Sequence, residues 1–200
     1  KQVQTVKNTK TLAKTVAAKS LAIEGYDKAN YSGSTKSKEC TLIVCEGLSA
    51  KTFAVSGIEW GFLSKKGRNY FGIYPLRGKL LNTRNATTET IGKNAVITNL
   101  VKILGLDVSK PTSFEKLNYG KLCIVTDADV DGTHIECLVL NFLHCMFPKL
   151  LETGFVVSMK TPIFKITAKT AERFYYDEYS IRLIKEKSTI KYYKGLGTTK

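Results

Sequence analysis

The sequence lacks the features that mark membrane proteins and disulfide-rich secreted proteins. No run of apolar residues approaches the length of a membrane span, and the amino terminus has neither a signal-peptide core nor an initiator methionine. The cysteines are odd in number, form no Cys-x-x-Cys pair and mostly lie within apolar runs. They are Cys40, Cys45, Cys123, Cys137 and Cys145. We therefore predict reduced core thiols without zinc or disulfides, in an intracellular region of a longer polypeptide.

The composition is that of a globular protein with a basic surface. An apolar fraction of 43% in 200 residues suffices for one large domain or two small ones. The 31 Lys and Arg residues against 17 Asp and Glu give a net charge of +14. A basic surface with a few clustered acids suits an enzyme that holds nucleic-acid phosphates around a metal ion. Simple solubility charge is the alternative.

The most informative stretch is an acidic motif that follows a short apolar run. Residues 122–125 are typical of a buried strand, and Asp127, Asp129 and Asp131 follow at alternate positions. Two carboxylates about 4 Å apart repel by about 4 kcal/mol at an effective dielectric of about 20, so three together favour protonation or a divalent cation. Oxygen ligands suit Mg²⁺, with Mn²⁺ or Ca²⁺ as substitutes. The alternative is a solvated turn that caps the next helix.

The hydrophobic pattern alternates between strands and helices. We predict, in order, a helix near 12–23, strands over 40–45 and 70–76, a helix over 88–104, a strand over 121–126 and a long helix up to Pro148. Ser49 should cap the helix after the first strand, Gly72 and Pro75 should interrupt and stop the second strand, and Cys145 should lie on the inner face of the long helix. This order predicts an α/β layered domain with a mostly parallel sheet of four or more strands flanked by helices.

The pattern changes after residue 153 and supports a division into three parts. Residues 1–38 read as a linker from an upstream domain, 39–152 as the α/β core, and 153–200 as a mixed carboxyl-terminal extension. In that extension, 155–167 and 189–193 are predicted extended and 179–187 helical.

Glu46 also follows a predicted buried strand, 81 residues before Asp127. Because the carboxyl ends of parallel strands meet at one edge of a sheet, Glu46 and Asp127 are expected to lie close enough to share a cation. The alternative for Glu46 is an ordinary acidic residue at the start of a helix.

Two other families explain part of the acidic motif. An EF-hand loop also begins Asp-x-Asp-x-Asp-Gly, but its twelfth position should be Glu and is Leu138 here. A haloacid-dehalogenase-like phosphatase would use Asp129 as nucleophile and Asp131 as acid. That reading leaves Glu46 and the basic turn at 77–79 unexplained. A non-catalytic module that binds nucleic acid is a third possibility.

Four ordered motifs resemble the Toprim region of type IIA DNA topoisomerases. They are Glu46-Gly-Leu-Ser-Ala-Lys-Thr, Pro75-Leu-Arg-Gly-Lys-Leu-Leu-Asn82, Thr126-Asp-Ala-Asp-Val-Asp-Gly-Thr-His-Ile135 and Tyr192-Tyr-Lys-Gly-Leu-Gly-Thr198. The resemblance covers about 23–200 and mixes eukaryotic-type and gyrase-like features, which suggests a divergent member, cellular or encoded by a large DNA virus. It implies a Toprim-like Rossmann-type fold, with 39–152 as the Toprim core.

The resemblance also implies roles for the acidic residues. In the family the Toprim carboxylates hold two Mg²⁺ ions beside the scissile phosphate, where two cations stabilise the attacking and leaving oxygens. By carry-over, Glu46 and Asp127 hold the catalytic ion, Asp127 and Asp129 hold the second, and Asp131 supports the cluster. Glu46, Asp127 and Asp129 are therefore the expected catalytic residues.

Basic and polar residues near the motifs are the expected DNA contacts. Arg77 and Lys79 match the family's cationic motif near the cleavage site, and their charges suit phosphate contacts that carry no sequence information. Lys194, beside a glycine that allows close backbone approach, is a further candidate. His134 could contact a phosphate or cap its helix, and Asn82 is equally open. The alternative for each cation is an ordinary solvated charge.

The resemblance has one departure and several implications for the whole protein. The family usually has Asp where this chain has Leu48, whose apolar side chain can neither bind a cation nor accept a hydrogen bond in place of that Asp. The family cleaves and religates duplex DNA as a homodimer with ATP-dependent strand passage. The nucleophilic tyrosine and the ATPase domain do not match any segment here, so the fragment should be inactive alone. The expected location is the nucleus, or the viral replication site in host cytoplasm or nucleus.

Overall fold

The computed structural model describes residues 23–61, 67–77, 80–168, 171–180, 189–193 and 195–196. The strands are β1 Thr41–Glu46, β2 Phe71–Leu76, β3 Lys121–Val125, β4 Val156–Ser158, β5 Phe164–Thr167, β6 Glu172–Tyr175 and β7 Thr189–Tyr192. The α-helices are α1 Gly47–Glu59, α2 Thr88–Lys93, α3 Ala95–Leu104, α4 Val130–Met146 and α5 Pro148–Glu152. Each helix in these ranges is too short or too polar to traverse a bilayer.

Four strands form a parallel sheet in the order β2-β1-β3-β4. The sequence predicted a mostly parallel sheet of four or more strands, but not this order. The central strand β1 is apolar from Leu42 to Cys45 and buried along that length. Alternate residues of β1 enter two different apolar clusters, because successive side chains of a strand point to opposite faces. Helices therefore cover both faces of the sheet, which is the layered α/β architecture.

The two faces of the sheet carry cores of different size. The larger core joins Leu42 and Val44 to the apolar sides of α3 and α4, including Leu100 and Phe142. The smaller core joins Ile43 and Cys45 to the apolar residues of α1 and to Leu196 near the carboxyl end of the chain. Leu196 of the last motif is thus packed against the first sheet.

A second, antiparallel sheet has the order β6-β5-β7. Its centre is the buried Phe164, whose ring stacks on Tyr175 at a centroid distance of 5.0 Å and lies 5.9 Å from the ring of Tyr192. Strands β5 and β7 lie within the segments predicted to be extended, whereas β6 had no predicted counterpart. The strand β4 lies beyond residue 152 but belongs to the first sheet, so the predicted core boundary precedes one of the core strands.

The predicted role of Pro75 was wrong, because this residue lies within β2 rather than ending it. Gly72 also lies within the strand, and Pro75 pairs in register with Cys45. The backbone of Ile73 faces the edge of β2 away from β1. Its N–H donates to the Asp27 carbonyl and its carbonyl accepts the Asp27 N–H, each at a distance of 2.8 Å. Position 75, two residues further on, faces the same outer edge, where a missing N–H breaks no bond between strands.

Two predicted helix boundaries were also wrong. Ser49 lies inside α1, which begins at Gly47 with Glu46 in the N-cap position. The helix predicted over 88–104 is split at Asn94, whose backbone is extended and whose Oδ1 accepts the N–H of Ile97 at a distance of 3.0 Å. An Asn side chain that caps the second helix competes with continuation of the first, which periodicity alone does not reveal.

The prediction of core cysteines was only partly correct. Cys40 and Cys45 are buried and Cys123 is half-buried, but Cys137 and Cys145 are exposed on α4. Cys145 therefore does not belong to the inner stripe of that helix, because the buried face passes through Leu138 and Phe142 and turns away before it. The predicted helices near 12–23 and 179–187 fall mostly outside the described residues.

Candidate metal and DNA site

Glu46 and Asp127 lie at the carboxyl ends of two neighbouring strands. Cys45 pairs with Val125 in the parallel register of β1 and β3, so Glu46 ends its strand beside Thr126, one residue before Asp127. Glu46 is half-buried, and its Oε2 atom is shielded from solvent. The two strands therefore bring both predicted residues to one edge of the sheet, as their positions after buried runs predicted.

The Asp127 carboxylate is held by the backbone of the last motif. The N–H of Leu196 donates to Asp127 Oδ1 at a distance of 2.7 Å. Gly195 precedes it with a φ of +109°, and its Cα faces the same carboxylate. On the other side, Gly132 packs so closely on the Asp127 carbonyl that a side chain would overlap it. Asp127 is thus fixed from two directions.

Asp129 and Asp131 belong to the start of α4. Asp129 is the N-cap, and its Oδ1 accepts the N–H of Gly132 at a distance of 2.7 Å. Asp131 lies in the first turn, where a negative charge interacts favourably with the helix dipole. Both residues are exposed. The capping role that the sequence left as an alternative is therefore real for Asp129.

The described residues contain no group of three or more His, Cys, Asp or Glu side chains arranged to hold a metal ion. Glu46 and Asp127 nevertheless supply the oxygen donors that suit Mg²⁺, which usually keeps several waters and binds through one or two carboxylates plus substrate phosphates. The two carboxylates therefore suit Mg²⁺, because the ion does not need a coordination sphere made up only of protein atoms. Ion binding by Glu46, Asp127, Asp129 and Asp131 stays a prediction.

Arg77 is the predicted cation that the structure describes. It follows Leu76, the β2 residue that pairs with Glu46, so the cation and the carboxylates lie at the same edge of the sheet. Its guanidinium Nη2 lies 2.8 Å from Glu24 Oε1, and both side chains are largely exposed. Lys79 and Lys194 lie outside the described residues, so their DNA contacts stay predictions.

Asn82 and His134 have different surroundings. Asn82 Oδ1 accepts the N–H of Arg84 at 3.1 Å and the Nδ2 of Asn141 at 3.3 Å, so it ties the loop after β2 to α4. His134 is exposed in the early part of α4. Leu48, which stands where the family usually has Asp, is 67% exposed in the first turn of α1. DNA contacts by Asn82 and His134 stay predictions.

Sequence reasoning missed Leu196 as part of this site. The glycine at position 195 had indicated close backbone approach to a phosphate. In the structure, the group that Gly195 approaches is the Asp127 carboxylate. The two glycines of the last motif, Gly195 and Gly197, indicated a close backbone approach. They did not indicate which group the backbone approaches.

An all-parallel α/β sheet with acidic residues after two adjacent strands defines the class of α/β domains that bind ligands at the carboxyl edge of the sheet. Residues 41–161, more than half of the chain, match the family model described as the Toprim domain. The chain therefore belongs to the Toprim domain family. Membership implies, in general terms, binding of a divalent metal ion.

Curated proteins similar to the chain over most of its length carry the name DNA topoisomerase 2. The chain is 46% identical to DNA topoisomerase 2 of Invertebrate iridescent virus 6, over 90% of this chain and 18% of that protein. It is 44% identical to the mitochondrial DNA topoisomerase 2 of Dictyostelium discoideum, over 94% of this chain and 15% of that protein. The chain spans less than a fifth of the length of these relatives.

A solved structure has the same architecture. The Plasmodium falciparum topoisomerase II DNA-binding, cleavage and re-ligation domain superposes with a TM-score of 0.80 and 37% sequence identity. The match covers 91% of this chain and 25% of that one. This likeness confirms the predicted Toprim-like α/β fold.

Proposed function

We propose that this chain is the metal-binding Toprim part of a type II DNA topoisomerase, which cleaves and religates duplex DNA to change its topology. The observation that carries the proposal is the position of Glu46 and Asp127 at the ends of adjacent parallel strands. The Toprim match and the likeness to DNA topoisomerase 2 proteins support the same activity.

Glu46 and Asp127 hold the catalytic Mg²⁺, and Asp127 with Asp129 holds a second ion, with Asp131 adding negative charge nearby. When bound, the cations supply charge stabilisation for the attacking and leaving oxygens of a phosphodiester. The protein's own contribution is placement. Strand β1 fixes the backbone of Glu46, and β3 ends two residues before Asp127, whose carboxylate accepts the Leu196 N–H.

Basic side chains place the DNA. Arg77 lies at the same sheet edge as Glu46, and an exposed guanidinium suits bidentate contact with a phosphate. Lys79, Asn82, His134 and Lys194 are the further candidates for contacts to the backbone of the duplex. Such contacts set the register of the DNA and carry no sequence preference.

Other regions complete the reaction in the full-length protein. A nucleophilic tyrosine, an ATPase domain and a homodimer are required for strand passage in the proposed function, so the 200-residue chain alone does not relax supercoiled DNA. We place the protein inside the cell, in the nucleus of a cellular source or at the replication site of a virus.

The test is DNA cleavage by full-length variants. Glu46→Ala and Asp127→Ala should each abolish Mg²⁺-dependent cleavage of supercoiled DNA, while ATP hydrolysis stays measurable. Glu152→Ala is the matched control, because Glu152 is an exposed acid at the end of α5 and should be removable without loss of cleavage. Cleavage retained by both edge variants would overturn the proposal.

A further inference from the structure

The turn at Gly195 and Leu196 encloses the carboxylate of Asp127. The Leu196 N–H donates to Oδ1 at a distance of 2.7 Å. A Cβ atom at Gly195 would lie 2.7 Å from Oδ2 and 3.1 Å from Oδ1. The first of these distances is shorter than real Cβ atoms show to any neighbouring atom. Only glycine allows the backbone to come this close to both oxygens, and its φ of +109° also favours glycine.

The side chain of Leu196 anchors this turn to the sheet. Leu196 is 4% exposed and belongs to the smaller core with Ile43, Cys45 and Val125, the residues that precede Glu46 and the acidic motif. The hydrogen bond to Asp127 is therefore made by a backbone group whose own position is fixed by apolar packing. A fixed donor holds an acceptor in one orientation far better than a solvated side chain does.

We propose that Gly195 and Leu196 are positioning residues that orient the Asp127 carboxylate for the divalent cation. This inference rests on the proposed function, in which Asp127 binds that cation. The amide uses one lone pair of Oδ1, and an ionised carboxylate has further lone pairs with which it can bind an ion. Because the carboxylate is already oriented, binding the ion costs less conformational entropy, as with hydrogen bonds that orient metal ligands elsewhere.

The first test measures Mn²⁺ and Mg²⁺ binding by the 200-residue chain, using calorimetry for both ions and electron paramagnetic resonance for Mn²⁺. Gly195→Ala should weaken binding by about 10- to 100-fold, the usual effect of removing a group that orients a metal ligand. Leu196→Ala keeps the N–H but removes the apolar anchor, so it should weaken binding in the same direction and by less.

Two controls separate positioning from backbone strain. Gly61 and Gly154 have φ values of +72° and +69°, and among the described residues no atom beyond the glycine and its chain neighbours lies within 4 Å of a Cβ built at either residue. Gly61→Ala and Gly154→Ala should therefore cost stability in thermal unfolding and leave ion affinity unchanged. In an Asp127→Asn background, Gly195→Ala should change ion affinity by less than about twofold, because the two residues act through one group.

A measurement on the unsubstituted chain covers the case in which Gly195→Ala does not fold. The amide resonance of Leu196 should move when Mg²⁺ is added, and it should also move in Asp127→Asn without metal. The inference is overturned if the chain binds Mg²⁺ while this resonance stays still, or if Gly195→Ala binds the ion as tightly as the parent or more tightly. If the parent chain binds neither Mg²⁺ nor Mn²⁺, the proposed function fails instead.

Discussion

Arg77 and Glu24 form an ion pair beside the carboxyl end of β2, with Nη2 of the guanidinium 2.8 Å from Oε1 of the carboxylate. Both side chains are more than half exposed, so water screens the attraction and such a pair contributes little to stability. In the proposed function, a DNA phosphate would therefore replace Glu24 as the partner of Arg77 at small cost. Without DNA, the pair limits the positive charge that this edge of the sheet presents.

The ion pair leads to opposite predictions for its two members. Arg77→Ala should weaken duplex DNA binding by the chain and reduce the slope of log affinity against log salt by about one, because one phosphate contact is lost. Glu24→Gln should tighten binding, since it releases Arg77. Fluorescence anisotropy of labelled duplex across a salt series measures both effects.

Arg68 provides the matched control for Arg77. It is an exposed arginine that precedes β2, so it lies near the opposite end of the strand from Arg77. Arg68→Ala should leave DNA affinity nearly unchanged. An equal loss in the Arg68 and Arg77 variants would mean that the chain binds DNA through overall charge alone.

Exposed cysteines should react with an alkylating reagent faster than buried ones. Burial raises the pKa of Cys45 to about 12 and raises the pKa of Cys123 as well, so little reactive thiolate exists at these residues near pH 8. Cys137 and Cys145 are exposed on α4. Mass spectrometry after brief iodoacetamide treatment of the folded chain should find label at Cys137 and Cys145 first, and at all cysteines only after unfolding. Early label on Cys45 would contradict the core described above.

Asp129 should contribute to stability as a helix cap. Asp129→Ala removes the acceptor for the Gly132 N–H and should lower the free energy of unfolding by about 1 kcal/mol in urea titrations. Asp129→Asn is the conservative control, because Asn caps helices about as well as Asp. Equal losses in the two variants would show that charge rather than capping matters at this position.

The same Asn variant distinguishes the phosphatase hypothesis. A phosphatase that used Asp129 as nucleophile would hydrolyse a small phosphoester without DNA and would lose that activity in Asp129→Asn, but not in Glu46→Ala. We expect no such hydrolysis by the parent chain, because residues 41–161 match the Toprim domain model. Turnover of p-nitrophenyl phosphate that depends on Asp129 but not on Glu46 would favour the phosphatase.

Stability should fall at alkaline pH through Tyr26. Burial and the 2.6 Å hydrogen bond between the Tyr26 and Tyr119 hydroxyls raise the pKa of Tyr26 well above its ordinary value. The contribution of its neutral phenol is complete below the unfolded pKa of about 10, and it is lost as the pH rises further because the unfolded chain releases a proton that the folded chain retains.

The expected slope above about pH 10 is up to about 1.4 kcal/mol per pH unit for one such tyrosine. Burial also raises the pKa of Tyr74, so Tyr26→Phe should keep part of this slope. The parent chain should show a steeper slope than Tyr26→Phe, because it has both tyrosines. Urea unfolding between about pH 8 and 11 measures the difference. Parallel slopes for the parent and Tyr26→Phe would show that Tyr26 ionises equally in both states.

Most of the first sheet could be predicted from the sequence, because each strand is a short apolar run bounded by turn residues. The runs before Glu46 and before Asp127 lie at the predicted places, and their order predicted parallel neighbours with both acids at one edge. The helix boundaries were less predictable. Asn94 ends one helix and caps the next, and this choice depends on packing that hydrophobic periodicity does not contain.

The sequence by itself determined that carboxylates follow buried strands and that a glycine-containing motif lies near the end of the chain. Only the tertiary structure decided that this motif meets Asp127, that Asp129 caps α4, and that Pro75 can remain in an edge strand. The physical reason is that local residue patterns set strands and turns, whereas the partner of each polar group depends on contacts between segments far apart in the chain. Asp127 and Leu196 are 69 positions apart in the sequence, and no local pattern signals their hydrogen bond.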